Sequence, residues 1–143
     1  MKPYERKQLL ARINREGATV GADIPDEITV QDEQLALREF VFETRSRGSV
    51  PADERETVER AKRNLRRERL ARRQRLEEGD ISRERGEELT ESIIGIERAL
   101  HALSDLGTAD VEREATAKEA ADRKRWMNFL QQALGQDESR ARR

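Results

Sequence analysis

Apolar residues in this chain recur mostly at helical spacing, with one interval of strict alternation near the N-terminus. Residues 3–16 predict a first helix. Tyr4, Leu9, Leu10 and Ile13 make one apolar face, Pro3 suits a first helical position and Gly17 a C-terminal stop. Ile28 and Val30 then alternate with polar residues, as do Leu35 and Leu37. Folding about Asp32-Glu33 sets Val30 opposite Leu35 and Ile28 opposite Leu37 on one face, a self-consistent β-hairpin. No Asn-Gly or Asp-Gly marks its turn. The stretch LREFVFETRSRG reads as a short helix with Leu37, Phe40, Val41 and Thr44 inward and Gly48 at its end. The β-rich FVF keeps a strand open over residues 37–45.

From Pro51 nothing breaks the pattern until Gly79, which predicts a helix of about 28 residues, or about 42 Å. EEGDIS is a tight reversal with Ser82 as N-cap of the next helix. That helix, from Arg83 to Leu106, carries Leu89, Ile93, Ile96, Leu100 and Leu103 in 4-3-4-3 spacing, a coiled-coil seam stopped by Gly107. A last helix starts near Asp110 and runs to Leu134, with Trp126, Phe129, Leu130, Ala133 and Leu134 apolar and Gly135 ending it. A reversal at residues 79–82 pairs the two long helices. Val58 then meets Leu103, Ala61 meets Leu100 and Leu65 meets Ile96, but Arg72 falls opposite Leu89, and Leu76 near Arg85 or Gly86. An apolar base and a polar tip projecting into solvent follow, with Trp126 and Phe129 covering the base.

The expected fold is mainly α. Residues 1–50 hold an N-terminal helix, a β-hairpin and a short helix. Residues 51–106 form a long antiparallel helical hairpin, 107–135 a C-terminal helix packed on its base, and 136–143 a flexible tail.

Composition sharpens this picture. Charged residues are 41% of the 143 and apolar ones 34%, which suits long solvated helices around a small core. Cysteine is absent, so disulfides and thiolate metal sites are excluded. MKPYERKQLL has charges where a signal peptide needs an apolar stretch, and no window approaches a membrane span, which points to the cytoplasm and away from a membrane partner. Arginine greatly outnumbers lysine, as a GC-rich genome or a salt-rich cytoplasm would also produce.

The charge is unevenly placed. RAKRNLRRERLARRQR, residues 60–75, holds nine basic residues against Glu68, a charge of +8 in a chain of net −1. Guanidinium groups bind phosphate oxygens bidentately and give sequence-independent affinity for RNA or DNA. Arg63, Arg66, Arg67, Arg69 and Arg73 are the candidate phosphate contacts. No aromatic residue interleaves with them, so base stacking of the single-strand kind is not expected. The competing reading pairs these arginines across the hairpin with Glu84, Glu87, Glu88, Glu91 and Glu97, leaving a solvated structural face.

Other chemistry is thin. His101 is the sole histidine, which leaves no zinc site and no Ser-His-Asp arrangement. Gly17-Ala-Thr-Val-Gly21 lacks the ending of a phosphate loop. Glu77, Glu78 and Asp80 cluster at the hairpin turn, a shape shared with factors that enter the RNA polymerase secondary channel, but simple solvation of a tight turn is the preferred explanation. An enzyme, a cofactor and a small-molecule substrate are not expected.

YERKQLLARINREGATVG, LALREFVFET, LRRERLARRQRLEEGDIS and SIIGIERAL resemble a small family of uncharacterised proteins of halophilic archaea, over most of the chain to about Leu106. That family has no assigned activity, so the resemblance implies a high-salt cytoplasm and no site residues. The leading expectation is a non-catalytic factor bound to nucleic acid or a ribonucleoprotein. The alternative is a protein–protein adaptor or a homo-oligomeric coiled-coil protein.

Overall fold

A computed structural model describes residues 1–17, 19, 23–108 and 117–141. Among them are five α-helices: α1 (Pro3–Glu16), α2 (Leu37–Arg47), α3 (Arg55–Glu78), α4 (Arg83–Ser104) and α5 (Ala117–Ala141). β1 (Ile28–Val30) and β2 (Glu33–Leu35) form a hairpin, and β3 (Ser49–Val50) lies parallel to β4 (Gly107–Thr108).

Helices α3 and α4 pack as the antiparallel hairpin expected from the seam. Ser82 caps α4, its Oγ accepting from the Arg85 N–H at 3.1 Å. Helix α2 buries Leu37, Phe40, Val41 and Thr44 and ends at Gly48 in the left-handed region (φ 72°), so the strand alternative falls. Leu89, Ile93, Ile96, Leu100 and Leu103 are all buried within the chain.

Several expectations need correction. The β-hairpin is real, but Ile28 pairs with Leu35 and Val30 with Glu33. Gln31 and Asp32 make the turn with φ 47° and 66°, the two left-handed residues of a type I′ connection. Asp tolerates that conformation, so a two-residue loop forms without glycine. The shift from the expected register is two residues, which keeps the same side chains inward. Tyr4 is 56% exposed and Leu10 half-buried, leaving Leu9 and Ile13 as the buried face of α1. Helix α4 ends at Ser104, three residues before Gly107. Gly135 breaks α5 at φ 78°, ψ 172°, yet helical backbone resumes to Ala141 where a tail was expected. The expected start of this helix near Asp110, the end of the tail and most of the Gly17–Gly21 stretch lie outside the described residues.

The largest correction concerns the hairpin tip, which does not project. Leu76 is fully buried, and α1 lies against the turn. Arg6 donates to the carbonyls of Leu76 and Gly79, and the Met1 ammonium donates to the Ile81 carbonyl at 3.1 Å. A Cβ on Gly86 would sit 3.0 Å from Leu9 Cδ1, so the small residue admits α1 there. The seam fails between α3 and α4 at this end because a third element supplies the missing apolar surface.

Helix α4 is therefore the central rod, buried on nearly every side, with α1, α2 and α3 packed on it. Phe40 joins α2 to α5 through Trp126 and Phe129, with ring centroids 5.9 and 6.1 Å apart. An ion-pair clamp, buried only at Glu54, fixes the start of α3. Arg123 of α5 donates to Glu54 (3.0 Å) and Asp53 (2.7 Å), and these carboxylates, Asp53 first, hold its pKa above the ordinary arginine value. The Arg47 guanidinium lies over the Trp126 ring at 4.9 Å and 3.9 Å from Glu54. No helix among the described residues is long and apolar enough to cross a membrane.

Candidate nucleic-acid interface

Helix α3 runs 24 residues, about 36 Å at 1.5 Å per residue. Its inner face is held along its whole length. Val58, Ala61, Leu65 and Leu76 are buried, and α5, the β-hairpin and α1 follow one another along it. Buried Asn64 donates to the Ala133 and Leu134 carbonyls at 2.8 and 3.1 Å, just ahead of the break at Gly135. Arg72 donates to the Thr29 carbonyl at 2.7 Å and to Glu68 at 2.7 Å, so this arginine holds β1.

The outer face is open. At 100° per residue, the exposed residues Glu59, Arg63, Arg66, Arg67, Leu70, Ala71, Gln74 and Arg75 belong to an arc of roughly 200°. Among the described residues, no ion pair or side-chain hydrogen bond engages Arg63, Arg66, Arg67, Arg69 or Arg75. Arg69 is half-buried on one flank; the other four are exposed. Arg73 is different, since its Nε donates to Glu77 at 3.0 Å. Lys62 pairs with Glu59 at 3.4 Å. Of the five sequence candidates, the structure thus brings Arg63, Arg66 and Arg67 together on one exposed strip, sets Arg69 beside it and gives Arg73 a partner.

The competing arrangement, arginines paired with α4 acids, is absent from the described residues. Glu87 and Glu88 pair with Arg83 (3.1 Å) and Arg85 (2.9 Å) on their own helix. Arg83 also reaches Glu5 at 3.2 Å, and hydrogen bonds to Glu87, then Glu5, raise its pKa above the ordinary value. Glu87 and Glu88 satisfy neighbours within the helix because an i+3 or i+4 partner is nearer than one across a hairpin.

A family model described as a family of unknown function, DUF5788, matches residues 1–131. The chain belongs to that family. No curated protein and no solved structure matches it. The DUF5788 match spans α1 to α4 and the Trp126–Leu130 part of α5, so the whole α3 face lies inside it.

Two positions on this face escape a search by charge alone. Leu70 is 57% exposed at the centre of the arginine strip, and Gln74 lies one turn further on. Their signal was the spacing from Arg63, i+7 and i+11, which returns to one line on a helix. The acidic turn offers less. Glu77 is engaged by Arg73, and no group of three or more metal-ligating side chains is gathered among the described residues. His101 is exposed.

Proposed function

We propose that this DUF5788 protein is a non-catalytic nucleic-acid- or ribonucleoprotein-associated factor that grips phosphate backbone through the outer face of α3. One observation carries the reading: Arg63, Arg66 and Arg67 stand exposed side by side, with no carboxylate engaged to them among the described residues. Three exposed guanidinium groups on one rigid helix are pre-organised for phosphate oxygens. The resemblance to halophilic archaeal sequences supports a salt-rich cytoplasm as the working setting, where screening weakens each contact and several must act together.

Fluorescence anisotropy with labelled duplex and single strands, across a salt series, tests this. Wild-type affinity should fall with salt along a log–log line. The Arg63→Gln/Arg66→Gln/Arg67→Gln variant should lose about 0.9 of slope per contact removed. Equal binding by both proteins, or no binding at any salt, overturns the reading.

A second reading, a protein–protein adaptor or homo-oligomer, draws on Phe42. This residue is 71% exposed over a groove lined by Arg38, Glu39, Glu43, Arg125 and Phe129. The coiled-coil seam is used inside the chain, so a second copy would meet this surface instead. A solution mass unchanged by Phe42→Ser at a concentration where wild type dimerises would argue against it.

A further inference from the structure

Phosphate contacts alone need only charge, yet the outer line of α3 is not all charge. Arg63, Leu70 and Gln74 fall within roughly 40° of one another at 100° per residue, on the line furthest from the protein core. Arg66 and Arg69 flank that line on one side, Arg67 and Arg75 on the other. Phosphate-binding cations thus border a central row of one arginine, one apolar residue and one amide. Leu70 is 57% exposed there and is not among the residues packed on the described core.

We propose that α3 is a recognition helix for the major groove of duplex DNA, with its flanking arginines on the two phosphate walls and Arg63, Leu70 and Gln74 on base edges. This rests on the phosphate-backbone reading above and adds a partner to it, with Arg66 and Arg67 kept on phosphate and Arg63 moved from phosphate to a base edge. The chemistry of the row fits that groove. Arginine pairs bidentately with guanine O6 and N7, glutamine with adenine N6 and N7, and an apolar side chain covers the thymine methyl. The shape fits as well. A helix about 10–12 Å across enters a groove about 12 Å wide, and an exposed arc of roughly 200° lets it do so without its neighbours striking the backbone. From Arg63 to Gln74 is about 16 Å along the helix, on the order of five base pairs. The major groove of double-stranded RNA is too narrow and deep for a helix, and α3 has no aromatic platform for unpaired bases. Glu77 and Glu78 follow directly and close the contact at its C-terminal end, where a phosphate would be repelled.

The test is selection from a random duplex DNA pool with the whole protein, followed by anisotropy on the enriched site, a scrambled duplex and the RNA duplex of the enriched sequence. The expected result is a short enriched site with guanine towards one end and A·T pairs towards the other. Leu70→Ala and Gln74→Ala, both at exposed positions that the fold does not need, should each weaken the enriched site about tenfold or more while changing scrambled-duplex affinity less than about twofold. Binding to duplex DNA without enrichment, or enrichment that both variants retain, overturns this inference and leaves the phosphate reading standing. RNA duplex bound as tightly as DNA at equal salt overturns groove insertion. Failure to bind any nucleic acid removes both readings together.

Discussion

Arg98 in α4 is only 6% exposed, and its environment works against its charge. Desolvation lowers its pKa first, the like charge of Arg45 lowers it further, and Asp105 opposes both. A base with a lowered folded pKa binds fewer protons when folded only between its two pKa values, so stability rises with pH in that window alone. The window lies below the ordinary arginine value, and arginine keeps its proton in proteins near pH 7, so the penalty is complete there. Arg98→Met should therefore be neutral or stabilising, by about 1 kcal/mol or more, and by the same amount from about pH 5 to pH 8. Urea unfolding at both ends of that range checks the sign and its constancy. Asn64 runs the other way. Asn64→Ala leaves the Ala133 and Leu134 carbonyls without their buried donor and should cost about 2 kcal/mol in the same assay. Neither effect was legible in the sequence, where Arg98 and Asn64 look like any polar residue on a helix. Burial is set by what arrives from elsewhere in the chain.

At the scale of elements, periodicity told most where one partner was enough. The α4 seam, the inward face of α2 and the stops at Gly48 and Gly79 rest on local spacing and backbone preference, and the structure keeps them. The hairpin register failed because its turn has no glycine to announce it. Asp32, at φ 66°, sits where type I′ turns favour glycine. Asp32→Gly should accordingly stabilise the protein by about 0.5–1 kcal/mol, read as a higher urea midpoint with unchanged slope. The arginine strip was visible as charge, but which arginines stay open was not. That depended on Glu87 and Glu88 pairing on their own helix, a competition between near partners and partners across the hairpin that composition does not decide.

Across the whole molecule, one core joins every helix, and α4 is its axis. Cooperative unfolding of that core predicts the slowest amide hydrogen exchange in α4 between Ile93 and Leu100, with α1 and the ends of α5 exchanging earlier. Exchange mass spectrometry on peptides from each helix checks the order, and equal rates in α1 and α4 would contradict it. The expectation of a protruding arm failed at this scale. Leu76 and Gly86 looked unpaired when only two helices were considered, and α1, far away in sequence, was the missing surface. The site followed the same rule: α4, α5, the β-hairpin and α1 consume the inner face of α3, where Arg72 is tied to Thr29, and the exposed arginines are left on the outside.

The short parallel bridge of Ser49–Val50 to Gly107–Thr108 joins the two roots of the long hairpin. Adjacent strands lie about 4.8 Å apart, so the chain enters and leaves this unit at nearly the same point. A segment with adjoining ends behaves as a cassette. Lengthening α3 and α4 together by whole turns would carry the reversal away from Arg6 and Met1 of the N-terminal segment without disturbing the bridge, so the root and the turn are separate anchorages.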